Sequence, residues 1–225
     1  LAAAATYTAY PTAAEALNLF TVLGFSLPSG MTSGELDYYR YAAIDELENI
    51  TGYRPFLAGA SATYKFDPPG PNYRGRMLGG GRKLLLSQPF ATITALSVGV
   101  TATDAGTALT ADTDYWKLPA NASAKNQPIT EIVFSTLQWG IVNSVRITGK
   151  PGYSENIPAE VWEAVRRLTA SRIAMGLREK LSQSPVEGKL GDESIRFSIE
   201  LLQKAGETWS SEAKAVLMRY RFMHP

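Results

Sequence analysis

Lys83-Leu-Leu-Leu-Ser-Gln-Pro-Phe-Ala-Thr-Ile-Thr-Ala-Leu-Ser-Val-Gly-Val100 is the stretch in which the chain abandons helical texture. Apolar and β-branched residues come in short runs broken by Ser, Thr and Pro, the composition of strands that bury one face. Pro89 cannot donate to a ladder, so the stretch reads as two strands, Lys83 to Ser87 and Thr92 to Val100. The same texture extends from about Ala60 to Lys150, with further strands predicted at Ala62 to Phe66, Tyr115 to Leu118, Ile129 to Phe134 and Ser144 to Thr148. A turn at Ala111-Asp-Thr-Asp114 precedes the Tyr115 strand and Pro119 ends it. About six strands at this spacing predict an antiparallel sheet or a small barrel. Between the first two, Asp67-Pro-Pro-Gly-Pro-Asn-Tyr-Arg-Gly-Arg-Met-Leu-Gly-Gly-Gly81 is too rich in Pro and Gly for regular structure and is expected to form a long exposed loop.

Outward from this region both flanks read as helix. Thr12-Ala-Ala-Glu15 and Thr32-Ser-Gly-Glu35 each fit a capping box, in which a Thr hydroxyl and a Glu carboxylate satisfy orphan amides at a helix start. They predict helices from about Ala13 to Leu23 and from Thr32 to Thr51, stopped by Gly24 and Gly52. Leu36, Tyr39, Ala43, Leu47 and Ile50 form the apolar stripe of the second, while Asp45, Glu46 and Glu48 are read as its solvated side. On the far flank Pro158 suits the first turn of a long third helix carrying Val161, Trp162, Val165, Leu168, Ile173, Leu177 and Leu181. Arg166, Arg167, Arg172, Arg178 and Lys180 occupy much of the rest of that helix. Beyond a loop at Gln183 to Gly191, Ser194 to Leu202 fits either strand or helix, and a last helix is expected from Ser210 or Ser211. The fold class predicted is therefore α+β: a helical bundle from residues 1–58 and 155–225 with a β unit, residues 59–154, inserted between its parts.

Composition narrows function. The chain has 225 residues, 45% apolar and 19% charged, with 22 basic against 21 acidic side chains. No global field therefore draws in a polyanion or a membrane surface. Cysteine is absent, which excludes disulfides, thiolate metal sites and thiol nucleophiles and makes a reducing compartment the simplest setting. Leu1-Ala-Ala-Ala-Ala-Thr-Tyr7 has no basic n-region, so no secretory signal is expected, and no uncharged stretch is apolar enough to span a bilayer.

Catalytic readings are poorly supported. The single histidine is His224, which disfavours any triad, and Gly79-Gly-Gly81 before Arg82 and Lys83 lacks the pattern of a phosphate-binding loop. No cofactor or metal site is expected. Arg74, Arg76, Arg82 and Lys83, interleaved with Tyr73, are accessible cations that nucleic-acid phosphates would accept; the plainer reading is a solvated loop. The segment Met218-Arg-Tyr-Arg-Phe-Met-His-Pro225 combines basic and apolar side chains at the end of the sequence. Arg219, Tyr220, Arg221, Phe222 and Met223 are of the types that anchor interfaces; packing back on the chain's own bundle and docking into a partner are both open, and the reading taken forward is that they leave the bundle and insert into a groove on a partner.

The order of several motifs resembles the head-to-tail connector (adaptor) family of tailed phages. These are Asp45-Glu-Leu-Glu-Asn-Ile-Thr-Gly-Tyr-Arg-Pro-Phe56, Leu84-Leu-Leu-Ser-Gln-Pro89, Gly152-Tyr-Ser-Glu-Asn-Ile-Pro158 with the helix that follows it, and Gly191-Asp-Glu-Ser-Ile-Arg-Phe197. Packing and turn residues make up each motif, and their order carries the likeness; the Pro/Gly loop and Thr103 to Gln127 lengthen the β region relative to that family. The resemblance implies a structural ring, usually twelvefold, in the virion neck and assembled in the host cytoplasm. It would sit on the portal protein, lead to a stopper or tail protein, and pass DNA through its channel with at most weak contact. The competing reading is a carbohydrate-binding or enzymatic module with Tyr115, Trp116 and Trp139 lining a cleft in the β unit.

Overall fold

Both capping boxes form. The Thr12 N–H donates to Glu15 Oε2 at 2.7 Å while the Glu15 N–H donates to Thr12 Oγ1 at 3.2 Å, and Thr32 and Glu35 repeat the exchange at 2.8 and 3.2 Å. They start helices α1 (Ala13–Val22) and α2 (Ser33–Thr51), the latter closed by left-handed Gly52, whose N–H reaches Glu48 O at 2.9 Å. The computed structural model describes residues 6–22, 31–67, 82–101, 103–122, 127–136, 144–183 and 189–221, with side chains at all of these except 181, 183 and 189–198. The chain divides into two compact units, Leu1–Gly52 with Ile157–Pro225, and Tyr53–Asn156.

In the helical unit, β1 (Thr6–Tyr7) pairs with β8 (Ile157–Pro158) as a two-stranded ribbon leading into α3 (Ala159–Gln183). Pro158 thus ends a strand instead of occupying the first helical turn. Val161, Val165, Leu168, Ile173 and Leu177 are buried along α3, which forms the spine against which α1, α2 and α4 (Lys189–Leu217) pack. Small residues let the helices close up. A Cβ on Gly176 of α3 would fall 2.0 Å from Tyr39 Oη of α2, and the Ser171 hydroxyl of α3 donates to the Gly206 carbonyl of α4 at 2.7 Å.

Helix α4 runs unbroken where a short element and a separate last helix were expected. Ser211 does not cap a helix start, because its hydroxyl donates back to the Thr208 carbonyl at 2.9 Å, a bond a helix interior accommodates. Gly206 is tolerated mid-helix because tertiary packing against Ala174 and Ser171 outweighs its propensity.

The β unit holds one six-stranded antiparallel sheet of order β2 (Ala62–Phe66), β7 (Val145–Pro151), β3 (Lys83–Val98), β6 (Ile129–Phe134), β5 (Tyr115–Leu118), with β4 (Thr107–Leu109) also on β3. The path is open, so among the described residues the sheet alternative holds and the barrel does not. The two strands expected around Pro89 are a single strand of 16 residues. Its first half pairs with β6 (Leu84 opposite Ile132) and its second with β7 (Leu96 opposite Ile147), with register shifts between Leu85 and Phe90. The irregularity is what admits Pro89 and the polar Ser87-Gln88 without ending the strand. Phe90, Leu96, Ile132, Phe134, Val145 and Ile147 form the core of the unit. Gly149 is required by close approach, since a Cβ there would lie 2.2 Å from the Thr92 carbonyl oxygen.

Where the β unit begins and finishes, its two ends are laced together. Phe56 and Tyr153 stack with ring centroids 4.7 Å apart and Tyr53 meets Tyr153 edge-on at 5.0 Å. The Tyr153 N–H donates to the Phe56 carbonyl at 2.8 Å and the Ala58 N–H to the Ser154 carbonyl at 2.8 Å. Burial, and then the neighbouring Tyr153, push the Tyr53 phenol up.

Candidate assembly surface

The surface is built on the first turn of α3 and the residues that follow α4. Leu217 closes α4 fully buried, and Met218–Tyr220 then tighten into a 3-10 turn with Met218 56% exposed. The Arg221 N–H donates to the Met218 carbonyl at 3.4 Å, a weak closing bond, and Arg221 itself is extended. In the chain by itself residues 219 and 220 stay on the bundle: the Tyr220 hydroxyl donates to Glu160 Oε1, and Arg219 Nη1 lies 3.4 Å from Glu160 Oε2. Glu160 suits the first turn of α3 because the helix macrodipole favours a carboxylate there. Two residues on, Trp162 stacks on Tyr7 at 4.5 Å, and the Arg166 guanidinium lies over the Trp162 ring at 5.7 Å from its centroid. Phe222 and Met223 lie outside the described residues, as does His224.

Arg166, Arg167 and Arg172 of α3 face carboxylates. Arg166 Nε meets Glu163 Oε2 at 2.9 Å, Arg167 Nε meets Glu163 Oε1 at 3.1 Å and its Nη1 bonds Glu212 of α4. Glu46, read from sequence as solvated, joins three helices: Oε2 takes Arg172 of α3 at 2.8 Å and Oε1 takes Lys214 of α4 at 3.0 Å. Burial acts to raise its pKa, but hydrogen bonds and charge from Lys214 and Arg172 outweigh that and hold the carboxyl below its ordinary range. Lys180 reaches Glu35 at 2.6 Å, and that bond, then the Thr32 N–H, lowers the Glu35 carboxyl. Neither Glu46 nor Glu160 could be singled out from local patterning, because their partners lie far along the chain.

The other expected sites are scattered. Lys83 is paired with Glu131 at 2.6 Å, Arg82 is exposed at the start of β3, and Arg74 and Arg76 lie outside the described residues. Of the aromatic cleft, Tyr115 is 3% exposed within the sheet core and thus has no free ring face, Trp116 is exposed, and Trp139 lies outside the described residues. Among the described residues no group of three or more His, Asp or Glu side chains is placed to hold a metal ion, and no helix is long and apolar enough to cross a membrane.

These features define an α+β protein with a bundle built on one long helix and a sheet carried between its parts. The same fold occurs in a chain of the virion of a native gene transfer agent particle, at 19% identity and TM-score 0.52, with 98% of this chain and 96% of that chain covered. A chain in the neck of an empty gene transfer agent particle, computed with C6 symmetry, aligns at 19% identity and TM-score 0.49 over 99% and 97% of the two chains. No family model matches the sequence, and no curated protein does.

Proposed function

We propose that the protein is a structural component of a phage-like virion neck: an adaptor that closes side to side into a ring of about twelve copies, seats on the portal, and leads to the stopper or tail. The observation that carries this reading is correspondence over the whole length. The alignment to a virion chain covers 98% of this chain and 96% of that one, so neither leaves a domain unmatched. The motif order from Asp45 to Phe197 supports the same assignment. Function on this reading is geometry, and no catalytic step is required. A cyclic ring needs two different complementary flanks on each subunit and a contact to the layer above. The residues after α4, Arg219, Tyr220 and Arg221 with Phe222 and Met223, supply the portal contact. DNA in the channel meets at most isolated cations such as Arg82 and those of the 68–81 segment; the Lys83 charge is already balanced by Glu131.

Purified protein mixed with purified portal tests this directly. Electron-microscopy class averages should show a second ring seated on the portal, and removal of residues 218–225 should abolish recruitment while sparing the fold, because buried Leu217 is retained. Recruitment undiminished by that deletion would move the contact elsewhere, and absence of any ring with or without portal would overturn the assignment.

A further inference from the structure

We infer that Glu160 is an internal stand-in for a carboxylate on the partner, holding the segment after α4 on the bundle until a groove of the same chemistry replaces it. The inference rests on the portal-docking reading and names what the groove must offer. Arg219 and Tyr220 deliver one cationic and one hydroxyl donor to the two oxygens of a single carboxylate, Nη1 to Oε2 and the phenol to Oε1. A partner that captures both side chains has to supply an acceptor of that kind, or the Tyr220 and Arg219 donors lose their bonds on transfer.

The contact is built to exchange. Arg219 and Glu160 side chains are 67% and 49% exposed, so water competes for both and the pair holds the segment by only about three- to tenfold in an equilibrium constant. Immediately before them Leu217 is fully buried and anchors the end of α4. Beyond that post the 3-10 turn ends on its 3.4 Å closing bond and lies against α2 and α4. Because buried Leu217 holds the end of α4, displacing residues 218–221 leaves the bundle closed. Competition between an internal and an external carboxylate makes docking selective: a groove lacking the acceptor gives up that same three- to tenfold factor against Glu160.

Full-length protein with Glu160→Ala, Glu160→Gln and Tyr220→Phe, each titrated with purified portal and followed by amide hydrogen exchange, provides the test. Glu160→Ala should speed exchange at residues 218–221 about three- to tenfold, leave α3 amides from Val165 onward unchanged, and tighten portal binding by a similar factor. Glu160→Gln keeps an acceptor for the phenol and should show a smaller gain. Tyr220→Phe should also loosen the free segment but weaken portal binding, because the hydroxyl is used in both states. Unchanged exchange in Glu160→Ala overturns the inference, as does faster exchange without tighter binding. If removal of 218–225 leaves recruitment intact, the docking reading falls and takes this inference with it; if that deletion abolishes recruitment while Glu160→Ala binds as the unmodified protein does, the inference alone falls.

Discussion

In the β unit, ion pairs are added to a sheet whose backbone ladder already sets the strand order; in the helical unit several of them run between helices. Lys83–Glu131 and Lys150–Glu155 decorate strands whose order is already set by a continuous backbone ladder. Glu46, by contrast, ties α2 to α3 and α4, and Arg167 and Lys180 add further links between helices. The difference follows from where backbone hydrogen bonds go. A sheet uses them between elements and so fixes its own register, whereas a helix uses them internally and leaves its neighbours to be positioned by side chains and by close approach. The two units should consequently fail by different routes.

The largest effect is expected in the sheet. Gly149→Ala places a methyl group against the Thr92 carbonyl, a backbone atom that cannot step aside without breaking the β3–β7 ladder. About 3 kcal/mol should be lost. Calorimetry should show that transition fall by many degrees, and a loss under about 0.5 kcal/mol would mean the two strands are less tightly paired than described.

A smaller and pH-dependent loss is expected in the bundle. Glu46→Ala leaves Arg172 and Lys214 without their shared acceptor, at about 1–2 kcal/mol for a site still partly open to water. Because the folded-state pKa of Glu46 is depressed, its contribution is fully present above the ordinary carboxylate value of 4.5 and is lost as pH falls through the lower folded value. Denaturant melts from pH 7 to pH 3 should show the penalty of Glu46→Ala shrinking with acid, and a penalty independent of pH would assign the effect to packing.

Least affected should be Trp116→Ala. The ring is 41% exposed on the edge strand β5, so stability should change by no more than about 0.5 kcal/mol. Glycan-array binding that disappears on this substitution would revive the aromatic-cleft reading; no signal before or after is expected.

What could be read from sequence was local, and the reason is physical. Thr12 with Glu15 and Thr32 with Glu35 find their partners three residues away, and the strands Ala62–Phe66, Tyr115–Leu118 and Ile129–Phe134 carry their own boundaries in turn residues and β-branched runs. The readings that failed depended on distant contacts. Pro89 divides β3 in sequence but not in space, because a register shift and a bond from the Gly152 N–H to its carbonyl carry the strand past it. Ser210 and Ser211 resemble a helix start until α3 is present to hold α4 as one rod. β1 and β8 have two residues each and no periodicity to detect. The Glu160 contact joins residues 59 and 60 positions apart, beyond the reach of any helical or strand period.

The lacing of Tyr53 and Phe56 to Tyr153 means that a path of roughly a hundred residues returns to its starting point. Closure of so long a path depends only weakly on its length, because the entropic cost grows with the logarithm of chain length. Residues can accordingly be added to or removed from the loops of the β unit while the two crossing points stay in register. The clasp makes residues 53–156 a cassette: a lineage, or an engineer, can exchange the contents between Tyr53 and Tyr153 and keep the frame that receives them.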